Sequence, residues 1–209
     1  MPAQPQYLLA YGSILQTQSR QRNIAHPGEP IPVRVRGLRR SWTARGAGVG
    51  FTCTFLGVDR DDDAVMNGAL VTVADVELPE LDRREAGYRR AAVNQESIDC
   101  LRDADRQNLA DAAVMVYETV EPIAATPAFP VIQSYLDICL QGCLEIDTLV
   151  GTGDTFTREF LATTHDWTEH WVNDRLFPRA PFRQVPEAGR IDRMLSERCP
   201  EQFARIRIE

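Results

Sequence analysis

The chain of 209 residues contains no lysine, so every basic side chain is an arginine. It has no run approaching the roughly 20 consecutive apolar residues that a membrane-spanning helix needs. Residues 1–20 show no basic start followed by a long apolar core, so no secretory signal is expected. There is no surplus of positive charge either: the formal net charge is −7, which argues against nonspecific binding to nucleic acid. None of the five cysteines forms a Cys-x-x-Cys pair, and an odd number of such residues points to free thiols in a reducing cytoplasm. Internal repeats and low-complexity tracts are also absent.

Several familiar site signatures are missing. His165 and His170 are five residues apart, not at the i, i+4 spacing of a helical metal site, so no metal or other cofactor is expected. Neither Ser134 nor Ser196 sits in a Gly-x-Ser-x-Gly elbow. The acidic run 59–63 lacks the spacing and central glycine of a calcium loop and reads as a solvated turn. Arg34, Arg36, Arg39, Arg40 and Arg45 alternate along expected strands, which suits a solvated strand face. Trp167 and Trp171 read as core residues rather than a platform for stacking bases.

What remains is an ordinary globular composition, 44% hydrophobic and 25% charged, in a chain long enough to bury a core without covalent staples. Residues 7–15, Tyr-Leu-Leu-Ala-Tyr-Gly-Ser-Ile-Leu, begin with five apolar or aromatic residues that suit a buried strand. Gly12 and Ser13 end it, and residues 16–23 form a helix or turn. A strand stopping at Gly-Ser can be a plain tight turn. It can also leave backbone N–H groups aimed at one point, where a carboxylate or oxyanion is held.

Strands are expected at 31–37, 49–57, 67–74, 88–94 and 112–121, with a helix over 76–86 that tolerates Pro79 in its first turn. On that helix Leu78, Leu81 and Glu85 share a face. Glu85 therefore falls where an apolar residue belongs. It is either a desolvated carboxylate available for proton transfer or a helix-end side chain that escapes to water.

After Glu121 the chain changes character. Pro122, Pro127 and Pro130 mark an extended link. An amphipathic helix follows over 132–146, with Tyr135, Leu136, Cys139, Leu140, Cys143 and Leu144 on one stripe. Its thiols read as small hydrophobes. The stripe must meet either the rest of the chain or a second copy, so a homodimer is one expectation. Further helices are expected at 155–163, at 167–176 behind a cap at Asp166 and Glu169, and at 190–198, with Pro178, Pro181 and Pro186 between the last two.

Taken together, Tyr11-Gly12-Ser13 after an N-terminal strand and Leu81-Asp82-Arg83-Arg84-Glu85 before Gly87-Tyr88 resemble the gamma-glutamylcyclotransferase-like superfamily. The resemblance covers roughly residues 5–121. It implies an α+β fold, a small mixed β-barrel with flanking helices, over residues 1–121; residues 122–209 lie outside the resemblance and read as a Pro-linked α-helical extension whose apolar stripe packs on the barrel. The resemblance implies an enzyme that cyclises a small γ-glutamyl amine or peptide to 5-oxoproline without metal or cofactor; the alternatives are a barrel that binds a small acidic metabolite without turnover and an interaction protein whose pocket is covered by its own extension. Glu85 matches the general acid/base. Tyr11, Gly12, Ser13, Ile14 and Leu15 match the substrate loop, and Tyr88 and Tyr117 match site-lining tyrosines. Ile14 stands where the family motif has Asn; the glutathione-specific branch has Leu there.

Overall fold

Alternating apolar residues in the first third of the chain build one long antiparallel hairpin, β2 (Ile31–Gly48) and β3 (Phe51–Thr72). The computed structural model describes residues 4–48, 50–109, 112–179 and 186–209. Of the sequence expectations, Val49 and Pro181 lie outside these. Three expected strands have thus merged into two. The acidic run is not a turn between strands but a bulge within β3. Pairing jumps from Leu38–Arg60 to Arg36–Val65, leaving residues 61–64 opposite Gly37, which takes φ +80°. Such an insertion bends the strand and frees its carboxylates to water.

The buried run β1 (Gln6–Ala10) lies between the far end of β3, antiparallel, and β6 (Ala113–Thr119), parallel. β4 (Tyr88–Ala92) adds to β6, and β5 (Ile98–Cys100) to β2. The chain after Thr119 supplies four short strands to the same sheet. β7 (Val131–Ile132) pairs with β3 and β8 (Thr164–His165) with β2. β9 (Trp171–Asn173) pairs with β7 and β10 (Arg207–Ile208) with β9. The main path runs β10-β9-β7-β3-β1-β6-β4. Among the described residues six helices flank it: α1 (Thr17–Asn23), α2 (Leu78–Arg84), α3 (Gln133–Val150), α4 (Thr155–Ala162), α5 (Ala188–Arg198) and α6 (Pro200–Phe203). The fold is α+β with a mixed sheet, as the sequence leads one to expect.

One core joins both parts of the chain. Leu9, Trp42 and Leu70 share it with Leu140, Phe160 and Trp171. The stripe on α3 is covered within the chain, with Leu136, Cys139, Leu140 and Cys143 fully buried. Each such leucine withdrawn from water contributes about 1.5–3 kcal/mol.

Two further expectations fail. No helix forms over 167–176. Asp166 takes φ +59°, the His170 N–H donates to Thr168 Oγ1 (3.0 Å), and Trp171 enters β9 instead. A local hydroxyl acceptor and the open edge of β7 together outcompete the helix. Arg40, read as part of a solvated face, is fully buried. The bulges in β2 disturb its alternation, and the ring of Phe160 on α4 covers that side chain.

Candidate active site

β1 ends at Ala10 and delivers Tyr11 and Gly12 into a single 3-10 turn, Ser13–Leu15. The Leu15 N–H donates to Gly12 O (3.0 Å) and the Gln16 N–H to Ser13 O (3.2 Å). The N–H groups of Ser13 and Ile14 have no hydrogen-bond partner among the described residues. The turn is pinned from outside. Arg20 donates to Leu15 O (2.7 Å) and Ile14 O (3.3 Å), and Glu145 on α3 accepts from both Thr17 N–H and Thr17 Oγ1 (2.7 Å each). α3 lies hard against the turn, since a Cβ on Gly142 would stand 2.5 Å from the Leu15 carbonyl carbon.

Glu85 stands one residue beyond α2, not inside it. Its N–H donates to Leu81 O (2.9 Å) and its carbonyl accepts from the Tyr88 N–H (2.8 Å), so the chain turns back on itself there. The side chain is 19% exposed, with Arg84 Nε 3.4 Å from the carboxylate. Burial raises the Glu85 pKa above the ordinary 4.5, and Arg84 offsets part of that rise.

A cavity of about 600 Å³ opens between these elements. Tyr11, Gly12, Ser13, Ile14, Glu85, Tyr88 and Tyr117 all line it. Leu15 does not: it is fully buried beneath the turn, a core residue rather than a wall of the pocket. The tyrosine hydroxyls are committed. Tyr11 donates to Tyr117 O (2.7 Å), Tyr117 to Asp82 (2.8 Å) and Tyr88 to Leu56 O (2.9 Å). Burial raises all three above the usual phenol range, so they stay neutral and cannot serve as bases near pH 7. Among the described residues, Glu85 is the one carboxylate lining the cavity.

Sequence reasoning missed part of the wall. Tyr135 on α3 reaches over Gly12, packed edge-on to Trp42 (6.2 Å between ring centres) and tilted on Phe55 (4.7 Å). Its place on the apolar stripe concealed that role. Phe51, Phe55 and Arg45 from the β2–β3 hairpin and Arg179 after β9 also line the cavity. No group of three or more metal-ligating side chains occurs among the described residues, and no helix is long and apolar enough to cross a membrane.

No protein-family model matches the chain, and no curated protein matches it by sequence. Solved structures do. A structure titled gamma-glutamyl cyclotransferase superposes with a TM-score of 0.54 at 14% identity, covering 78% of this chain and 90% of its own. The fold is gamma-glutamyl cyclotransferase-like. An uncharacterized protein from Homo sapiens gives a TM-score of 0.55 at 15% identity, covering 79% of this chain and 92% of its own. Both superpositions span more of the chain than residues 1–121 contain. The gamma-glutamyl cyclotransferase-like fold therefore takes in part of the region after Glu121, beyond what the sequence motifs reach.

Proposed function

We propose that the cavity binds a small γ-glutamyl amine or peptide and converts it to 5-oxoproline, with Glu85 as general acid/base. The observation that carries the reading is the desolvated Glu85 carboxylate in one cavity with the uncommitted N–H groups of Ser13 and Ile14. The α-amine of the glutamyl group attacks its own γ-carbonyl, forming the ring C–N bond. Glu85 takes the proton released from that amine and returns it to the departing nitrogen as the original amide bond breaks. The N–H groups of Ser13 and Ile14 receive the charge that develops on the carbonyl oxygen.

Nucleophile and electrophile belong to one molecule, so folding the substrate in place supplies much of the rate, with effective molarities of about 10⁵–10⁸ M for well-oriented cases. Tyr11, Tyr88 and Tyr117 shape the walls. A cavity of about 600 Å³ suits a ligand of this size. The reaction needs no metal, cofactor or enzyme nucleophile, and an odd number of cysteines without a Cys-x-x-Cys pair favours the cytoplasm as its location.

A second reading is retention of such a ligand without turnover. It is favoured by Ile14, which removes the side-chain amide of the family motif from the turn. Incubation with γ-glutamyl-alanine tests both. Release of 5-oxoproline by the wild type and not by Glu85→Gln supports the enzyme. Saturable binding without 5-oxoproline supports the second reading.

A further inference from the structure

Four arginines, Arg22, Arg45, Arg84 and Arg179, line the cavity against one carboxylate, Glu85, in a chain whose formal net charge is −7. Local cation surplus in an acidic protein marks a place where negative charge is received. Arg22, Arg84 and Arg179 each have a partner. Arg84 lies beside Glu85 (3.4 Å), and Arg179 pairs with Glu209 and donates to Thr52 O (3.2 Å).

Arg45 is different. Its guanidinium lies over the ring of Phe129, 4.4 Å from the ring centre, and it has neither an ion pair nor a hydrogen bond among the described residues. Stacking fixes the plane of a guanidinium while leaving its N–H edge free, the arrangement in which arginine grips a carboxylate or phosphate through two parallel bonds. Arg45 comes from β2, on the hairpin wall with Phe51 and Phe55. That is a separate element from the turn carrying Ser13 and Ile14, and from the segment carrying Glu85.

We propose that Arg45 is a specificity-determining residue that binds an anionic group, carboxylate or phosphate, on the half of the substrate that departs as the amine. This rests on the γ-glutamyl reading above for the orientation of the ligand. The glutamyl half occupies the turn and Glu85. The leaving half then lies along Phe51 and Phe55, where its anion meets Arg45.

The test compares γ-glutamyl-alanine, γ-glutamyl-ethylamine, which lacks the carboxylate, and γ-glutamyl-O-phosphoethanolamine, which bears a phosphate in its place. The full chain is assayed as wild type, Arg45→Met and Arg45→Lys. Wild type is expected to prefer one of the two anionic compounds over γ-glutamyl-ethylamine by about 10- to 100-fold in kcat/KM, the worth of a charge-assisted hydrogen bond. Which one it prefers identifies the anion. In Arg45→Met the preference should collapse to within about threefold, and Arg45→Lys should restore part of it by charge alone. Turnover with no preference for an anion, or a preference that survives Arg45→Met, overturns the role of Arg45 and leaves the reaction standing. If no compound is turned over, the γ-glutamyl reaction fails, and calorimetric binding of the same three compounds decides Arg45. Tighter binding of an anionic compound that is lost in Arg45→Met supports it; equal or absent binding overturns it.

Discussion

The hydroxyl of Tyr135 lies 2.7 Å from the point where a Cβ on Gly12 would stand. Residues more than a hundred positions apart thus share one small volume beside the turn. Gly12 has φ −140° and ψ −136°, and a side chain there would also press on the Tyr135 hydroxyl. Gly12→Ala must displace either the turn or a phenol ring held by Trp42 and Phe55. We expect kcat/KM to fall by about tenfold or more, since small misplacements near reacting atoms cost rate steeply. The next Tyr135 atom, Cζ, is 3.9 Å from that Cβ position, an ordinary contact. Adding Tyr135→Phe to Gly12→Ala should therefore recover most of the loss relative to Tyr135→Phe alone. A double variant as poor as Gly12→Ala would show that some other contact excludes the methyl group.

Glu85→Gln keeps the shape and removes the titrating group. 5-Oxoproline release should fall at least about 100-fold, at the scale of general acid/base contributions. In the wild type the rate should decline as pH drops through a pKa raised above the ordinary 4.5, because the protonated acid cannot accept the amine proton. Stability runs the other way. Burial raises the folded-state pKa above the unfolded one, so between the two values the folded chain holds a proton that the unfolded chain has released. The contribution of Glu85 to stability falls as pH rises through that window. At pH 7 Glu85→Gln should unfold at or above the wild-type temperature. A marked drop in Tm would mean that the ionised carboxylate has a structural partner.

The strand into Gly12-Ser13 was legible because five apolar residues ending at a glycine specify their own geometry. Glu85 was legible from helical spacing and motif, even though it lies one residue past α2. Tyr135 and Arg179 were not, because they reach the cavity through tertiary contacts of α3 and of the chain after β9, made across long stretches of sequence. Arg45 and Arg40 have the same alternating context in the sequence. One ends over Phe129 at the cavity and the other under Phe160 in the core, and the tertiary cover that separates their fates leaves no mark on composition. Residues 167–176 misled because two tryptophans four apart fit a helical face as well as they fit a turn followed by a strand.

Gly142 tests whether the chain after Glu121 belongs to the same folding unit as the turn. A Cβ there would overlap the backbone amide nitrogen of Gln16, and backbone cannot swing aside as a side chain can. Gly142→Ala gains helix propensity, worth roughly 1 kcal/mol, yet overpacking costs about 1–3 kcal/mol. We expect a net lower Tm together with weaker turnover, because the residues displaced belong to the turn. Truncation after Glu121 removes the helix altogether, and residues 1–121 should be insoluble or unfolded. A soluble, monomeric fragment as heat-stable as the full chain would defeat this view.

The thiols offer a reading of packing that is independent of activity. Burial pushes Cys139 up to about 12, and Cys53 likewise, so neither forms thiolate near neutrality. Cys100 is the one cysteine that is not buried. A thiol reagent at pH 8 should label Cys100 rapidly and the other four only on unfolding. Fast labelling of Cys139 or Cys143 in the native chain would contradict the placement of α3.

Arg40 is the most exacting test of the core. Its Nε donates to Thr164 Oγ1 (2.9 Å) and its Nη1 to Asn67 O (2.6 Å). Its Nη2 donates to Asn67 Oδ1 (3.1 Å), Phe160 O (2.9 Å) and Thr163 Oγ1 (2.9 Å). The guanidinium stacks 3.6 Å from the centre of the Phe160 ring, and no carboxylate pairs with it among the described residues. Burial lowers its pKa to about 10, still well above neutral, so a cation is held by oxygen dipoles and the face of the Phe160 ring. Arg40→Met relieves the cost of burying that charge but strips donors from both oxygens of Asn67, each loss worth about 1–3 kcal/mol. Phe160 O keeps a donor, the Thr164 hydroxyl at 2.6 Å, which limits the damage on that side. The net expectation is a loss of about 2–4 kcal/mol by urea unfolding at pH 7. Arg40→Lys should fare no better, because a point charge with three donors cannot span acceptors arranged for a planar fork. Activity per folded molecule should be unaffected, since Arg40 does not line the cavity. Unfolding of Arg40→Met within about 0.5 kcal/mol of wild type would mean that relief of the buried charge cancels the lost donors.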